Sequence, residues 1–205
     1  MARRRSVPKA RATEARPALI LASSSPRRRT LLEEHGYNFI VVNPPGVREI
    51  APVYLSPGET VLANAWAKAR AVRALHPRRL VLAVDTEVFF EGRVLGKPAD
   101  LPAALAMLSR LNGRSHEVYS GAWLSGPRGG RGFVEITKVR FHRRTKAELQ
   151  RYLDRIGPLD KAGAYAAQED HGEMIAEVLG SYSNVIGLPM ERLAVELGAF
   201  DAQGK

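Results

Sequence analysis

Ser23, Ser24 and Ser25 are followed by Pro26 and then by Arg27, Arg28 and Arg29, directly after the apolar run Leu19 to Ala22. Ser25 as N-cap and Pro26 at the first helical position predict a helix starting here, with three guanidiniums in its first turn. That end of a helix carries four unpaired N–H groups and a partial positive charge, so cations there are normally unfavourable. A bound anion removes the conflict. Strand, small-hydroxyl loop and helix N-terminus converge N–H and O–H donors on one point, and arginine adds planar, bidentate contacts. The plainer alternative is that Ser25 merely caps while the arginines splay into solvent. The motif is not a P-loop, since GxxxxGK[ST] is absent.

Asp85 is the second departure from a local rule. It interrupts "LVLAVDTEVFF", where an unpaired carboxylate costs on the order of several kcal/mol. It is therefore paired with a cation, protonated, bound to a metal, or set where a sheet opens into a cleft. In α/β sheets ligands gather at the carboxyl ends of strands, where Asp85 and Thr86 fall if the strand ends at Val84. Lys68 follows Asn64 by one helical turn, and Lys97 in "LGKP" is held extended by Pro98. Glu49 is an acid in the loop after the first helix, and Lys161 in "DKAGAY" precedes small residues that let backbone approach a ligand. Singly, each reads as a surface residue. Together, an acid among basic side chains and a serine loop suits a phosphate ester with a divalent metal, and so phosphoryl chemistry.

Alternating strand and helix signals must position these groups. "ALILA" reads as a buried strand, and the helix from Pro26 stops at Gly36. "SPGE" (Ser56 to Glu59) is a capping box opening a helix with Leu62, Ala65, Trp66, Ala69 and Val72 on one face. "LVLAV" continues past Asp85 into "EVFF" before a tight turn at Glu91-Gly92. Asp100 caps a helix with Leu105, Leu108 and Leu111 inward and Gly113 as its stop. "HEVYSGAWL" and "GFVEITKVRFH" predict two long strands joined by a flexible "SGPRGGRG" loop. Thr145 and Glu148 form a second capping box, with Leu149, Tyr152, Leu153 and Ile156 inward. A short strand in "EMIAEVL" and a helix from Pro189 complete an α/β chain with a twisted, mixed sheet flanked by helices and a cleft between two lobes.

Composition bounds the rest. The 205 residues suit one domain with a sizeable core. The absence of cysteine excludes disulfides, thiolate metal sites and cysteine nucleophiles. The five histidines form no HxH or HExxH pair, so a metal here is held by oxygen. No apolar run has the length of a membrane span. Half of the net charge of +10 lies in residues 1–16, where six basic side chains face Glu14 alone. Residues 1–17 read as a disordered, solvated tail, with any nucleic-acid contact weak and confined to it.

In order, "LILASSSPRRRTLL", "VDT", "GKP", "LSRLNGRSHEVYSG", "DKAGAYAAQ" and "GSYSNVIGLP" resemble the motifs of the Maf family of nucleoside-triphosphate pyrophosphatases. The resemblance implies a two-lobed Maf/ITPase-like catalytic domain over residues 18–200, followed by a tail at 201–205. It also implies cleavage between the α- and β-phosphates with Mg²⁺ or Mn²⁺, in a cytoplasmic homodimer. Asp85 matches the aspartate taken as proton acceptor. Ser23, Ser24, Ser25, Arg27 and Arg28 match the phosphate-holding loop, while Glu49, Lys68 and Lys97 match charged residues of the cleft, with Lys161 beside them. Asp85 and Glu49 are the expected metal contacts. Arg27, Thr86 and Gln168 match the positions that mark the branch acting on dTTP and UTP; in the 7-methyl-GTP branch the first is typically tyrosine and "DT" reads "DQ". Two departures stand out. "EDHG" sets Glu169, Asp170 and His171 beside the expected base pocket, and an extra residue in "NPPGVREI" loosens the match at Glu49. A modified-purine pyrophosphatase, a nucleic-acid-binding protein and a cell-division regulator that binds nucleotide without turnover are the alternatives.

Overall fold

The computed structural model describes residues 19–50 and 55–202; the basic tail expected over 1–17 and residues 203–205 lie outside them. Along the chain run β1 (Leu19–Ala22), α1 (Pro26–Glu34), β2 (Phe39–Val41), α2 (Pro57–Leu75), β3 (Val81–Phe90), β4 (Arg93–Leu95) and α3 (Leu101–Leu111). Then come β5 (Ser115–Gly126), β6 (Gly129–Phe141), α4 (Lys146–Ile156), β7 (Ile175–Leu179), α5 (Tyr182–Ile186) and α6 (Met190–Ala202). Three short 3₁₀ turns lie between α4 and β7. The expected helix starts hold. Ser56 with Glu59 and Thr145 with Glu148 form reciprocal capping boxes, and the Asp100 side chain accepts from Ala103 N–H.

All seven strands form one mixed sheet in the order β2-β1-β3-β5-β6-β7, with β4 also on β3. β1 is parallel to β2 and β3, and every other pairing is antiparallel. Side chains alternate across a strand, so Val81, Ala83 and Asp85 face α2 while Leu82, Val84, Thr86 and Val88 face the other side. On that other side are two large apolar clusters: Val84 joins one beneath α1 and α6, and Val88 joins the other beneath α3 and α4. Thr86 lies between them.

One expectation holds and two are corrected. β3 continues past Asp85 to Phe90, as the sequence reads, while its parallel neighbour stops. β1 pairs only as far as Ala22↔Ala83, and β4 begins at Val88↔Leu95, so a notch opens along this edge of β3 at Asp85. The "SGPRGGRG" segment is no flexible loop, because the β5–β6 register runs through to Gly126↔Gly129 around a two-residue turn. Its glycines make room: a Cβ at Gly130 or Gly132 would lie 2.6 or 2.5 Å from the Trp123 ring on the neighbouring strand. Finally, Trp66 is 42% exposed, and α2 instead buries Val61, Asn64, Ala65, Ala69 and Val72. Among the described residues no helix is long and apolar enough to cross a membrane.

Candidate active site

β1 stops at Ala22 and the chain crosses into α1 through Ser23, Ser24 and Ser25, which brings the serine loop to the notch beside Asp85. Ser25 stands at the N-cap with extended backbone, but its hydroxyl makes no cap hydrogen bond. Its N–H donates to Ser23 Oγ at 3.2 Å, so the hydroxyl expected to close the helix is left for another partner.

The arginine triplet resolves into three different fates. Arg28 is bracketed by protein acceptors: Nε donates to Gly187 O at 2.9 Å, Nη1 to Ser23 Oγ at 3.0 Å and Nη2 to Thr86 Oγ1 at 3.1 Å. Burial pulls its pKa down to about 10, opposed by the charge of Asp85, so it remains a cation at neutral pH. Arg27 reaches across the cleft to Asp160, with Nη1 to Oδ2 at 3.0 Å. Arg29 points into solvent. Two of the three charges thus find acceptors that offset the unfavourable end of the helix dipole.

Asp85 is 5% exposed, and α2 is what holds it. Oδ2 accepts from Asn64 Nδ2 at 2.9 Å and Oδ1 from Lys68 Nζ at 2.6 Å. One turn of helix separates the two donors, so both fall on the face that meets β3. Lys68 Nζ also lies 2.5 Å from Glu49 Oε1. Asn64 fixes that second carboxylate indirectly, because its Oδ1 accepts from Ile50 N–H at 2.8 Å and so staples the loop to the helix. Thr86, on the other face, shares a hydrogen bond with Ser120 Oγ at 2.8 Å.

One cleft of about 470 Å³ collects Ser23, Ser24, Ser25, Arg27, Arg28, Glu49, Lys68, Asp85, Thr86, Lys97, Lys161 and Gln168. These are the twelve residues that the family resemblance and the loop motifs nominate. Lys97 and Gln168 are exposed at its wall. Lys161 is engaged elsewhere: its ammonium donates to Ile156 O, Gly157 O and Asp160 Oδ1 at 3.0, 2.9 and 2.7 Å, closing the C-terminal end of α4 and orienting Asp160. The "EDHG" expectation is corrected. Glu169 and His171 are exposed, and none of the three acidic and histidine residues lines the cleft. Asp170 turns inward, where its carboxylate accepts from Met174 and Ile175 N–H at 2.9 and 3.0 Å.

Sequence reasoning missed Asp160 and Glu87. Asp160 adjoins Lys161 in the same motif, which was the available signal. Burial alone raises its pKa, but hydrogen bonds from Lys161 and Arg27 hold the carboxyl below its usual range. Glu87 lies two residues beyond Asp85 on the same face of β3, and its Oε2 is buried without a partner. Burial, then the charges of Asp85 and Glu49, push its pKa up to about 7.

Among the described residues no three histidine, cysteine or acidic side chains form a metal cage. Asp85 and Glu49 nevertheless converge on one cation, the Lys68 ammonium. Two carboxylates completed by water and phosphate oxygens form a hard-oxygen set that suits Mg²⁺ or Mn²⁺, so the donors fit the expected ion.

The architecture is that of an α/β protein whose central sheet opens beside a hydroxyl-rich helix entrance, with a carboxylate facing guanidiniums across the gap. Residues 18–200 match the Maf-like protein family, and the chain belongs to that family. A relative from Symbiobacterium thermophilum is 46% identical over 184 residues, covering 89% of this chain and 93% of its own. Another from Akkermansia muciniphila is 43% identical over 175 residues, covering 85% and 92%. Both are named dTTP/UTP pyrophosphatase. Among solved structures, a HAM1 protein from Coxiella burnetii overlays 62% of this chain and 74% of its own, with a TM-score of 0.44 and 18% identity.

Proposed function

We propose that this chain hydrolyses dTTP and UTP to the nucleoside monophosphate and pyrophosphate. One observation carries the reading: Asp85, gripped by Asn64 and Lys68, shares a single cleft with the serine loop, Arg27, Arg28 and Gln168. The names of the relatives supply the substrate class.

In this reading the hydroxyls of Ser23 to Ser25 and the N–H groups left unpaired at the entrance of α1 take phosphate oxygens. Arg27 leaves Asp160 for the triphosphate, and Lys97 adds charge at the cleft wall. Arg28 keeps one N–H on each terminal nitrogen beyond those already spent on Ser23 and Thr86. Both oxygens of Asp85 retain a free lone pair, so the carboxylate accepts the proton of a water as that water attacks the α-phosphorus. The new bond is water oxygen to phosphorus. The bond that breaks joins the α-phosphorus to the bridging oxygen, which departs with pyrophosphate. Guanidinium and ammonium groups stabilise the negative charge that develops on it. A divalent ion held by Asp85 and Glu49 would polarise phosphate oxygens and neutralise their charge. The Gln168 amide, which offers a donor group and an acceptor group side by side, reads a pyrimidine edge.

The test is a panel of canonical and modified nucleotides with purified protein and Mg²⁺ or Mn²⁺, following monophosphate and pyrophosphate by ion-exchange chromatography. Thymidine and uridine triphosphates are expected to lead, and Asp85→Asn to lose about 10²–10⁴-fold in turnover while still binding nucleotide. Preference for 7-methyl-GTP, release of orthophosphate alone, or near-normal turnover by the variant would overturn the reading.

A further inference from the structure

α2 has a second working face. Asn64 and Lys68 turn toward Asp85, whereas Trp66, Arg70 and Arg73 recur at helical spacing on a different stripe. With Pro77 and Trp123 they line an open groove of about 380 Å³, separate from the cleft. Trp66 is 42% exposed, and the Arg70 guanidinium sits 5.3 Å from its ring centroid. Trp123 is half-buried, its ring laid against the glycines of β6 that leave it room. Two glycines within a strand are unfavourable by about 0.5–1 kcal/mol each relative to alanine, so the sequence gives up strand stability to seat an indole at this surface.

The charge around the groove has one sign. No acidic residue occurs between Glu59 and Asp85, a stretch holding Lys68, Arg70, Arg73, Arg78 and Arg79. Arg78 is exposed beside Pro77, and Arg128 is exposed at the β5–β6 turn, near Ser125 in the groove wall. A second copy docked groove to groove would set like charges against each other. Base pairs of a duplex do not offer their faces to an indole, whereas a single strand presents bases for stacking and phosphates at a spacing that several guanidiniums can follow. We propose that this groove binds single-stranded nucleic acid, a base stacking on the indoles while flanking phosphates lie on Arg70, Arg73 and Arg78. This site is independent of nucleotide hydrolysis.

Trp66 and Trp123 are the chain's two tryptophans, so intrinsic fluorescence of the full-length protein reads this groove. A short oligothymidylate is expected to quench that emission saturably and less tightly as salt rises, with no quenching by thymidine monophosphate at equal nucleotide concentration. By anisotropy of a labelled strand, Trp66→Ala is expected to weaken binding about tenfold, and Arg70→Ala to reduce the salt slope by about one phosphate contact. Both positions are at the surface, and an unchanged thermal melt of either variant confirms its fold. Several results would overturn the proposal: no quenching at low salt, equal quenching by the monophosphate or by duplex, or displacement of the strand by pyrophosphate at matched ionic strength. Unweakened binding by Trp66→Ala and Arg70→Ala together would also do so, because it assigns the strand to the basic segment before Leu19.

Discussion

Lys68 holds one ammonium between the carboxylates of Glu49 and Asp85, and Arg27 spends its charge on Asp160. Both cations already have acceptors, so on the proposed function a triphosphate exchanges partners rather than filling an unpaired site. The Arg27–Asp160 pair is the easier of the two to open: it is partly solvated, and such pairs contribute about 0–1 kcal/mol. Asp160→Asn is therefore expected to leave the melting temperature almost unmoved and to lower KM for the triphosphate, with kcat little changed. A raised KM in steady-state assays would show instead that Asp160 orients Arg27. His116 supplies a different residue-scale test. It is buried with Nε2 against Tyr165 Oη at 2.9 Å, and burial pushes its pKa down to about 4. The unfolded chain then binds a proton near pH 6.5 that the folded chain refuses. Stability is fully present above that pH and is lost as pH falls toward 4, by up to about 3 kcal/mol. Urea denaturation across this range is expected to show a shallower decline for His116→Gln than for the native sequence.

At the scale of elements, the seating of α2 decides the geometry of the cleft. A Cβ at Gly121 would lie 2.4 Å from Leu62 N and from the Val61 carbonyl carbon, so the helix backbone rests directly on β5. Gly121→Ala must lift or slide α2, and with it Asn64 and Lys68. Turnover is expected to fall at least about tenfold, with a loss of about 1–3 kcal/mol in stability, measured by nucleotide hydrolysis beside a chemical melt. The caps at Ser56, Asp100 and Thr145 were legible because they depend on residues three apart. So was the inward face of α4, where Leu149, Tyr152, Leu153 and Ile156 follow a strict helical period and are all buried. The clustering of twelve separated residues in one cleft was legible through the family resemblance rather than through local chemistry. What was hidden depends on contacts between distant segments. Gly130 and Gly132 read as loop residues until Trp123 is seen across the ladder, and Trp66 read as core because period alone cannot tell a buried stripe from a grooved one. Asp170 looked like a pocket residue until its backbone partners at Met174 and Ile175 were placed.

For the whole molecule, the notch beside β3 sets a paired central strand against cleft segments that lie outside the sheet. β3 is flanked by β1 and β4 on one edge and by β5 along nearly all of the other. The amides it donates to these neighbours are therefore expected to exchange with deuterium only on global unfolding, whereas the segments carrying Glu49 and Gln168, outside the sheet, exchange through local opening. Mass-spectrometric exchange would register this as slow uptake across Val81 to Phe90 and fast uptake in the two segments, with nucleotide slowing only the latter. Uniform uptake across all three would contradict it. The expected pattern keeps the acid in place while the cleft walls open around it. Loop substitutions are then expected to tune admission and release of a ligand without disturbing the strand that carries Asp85.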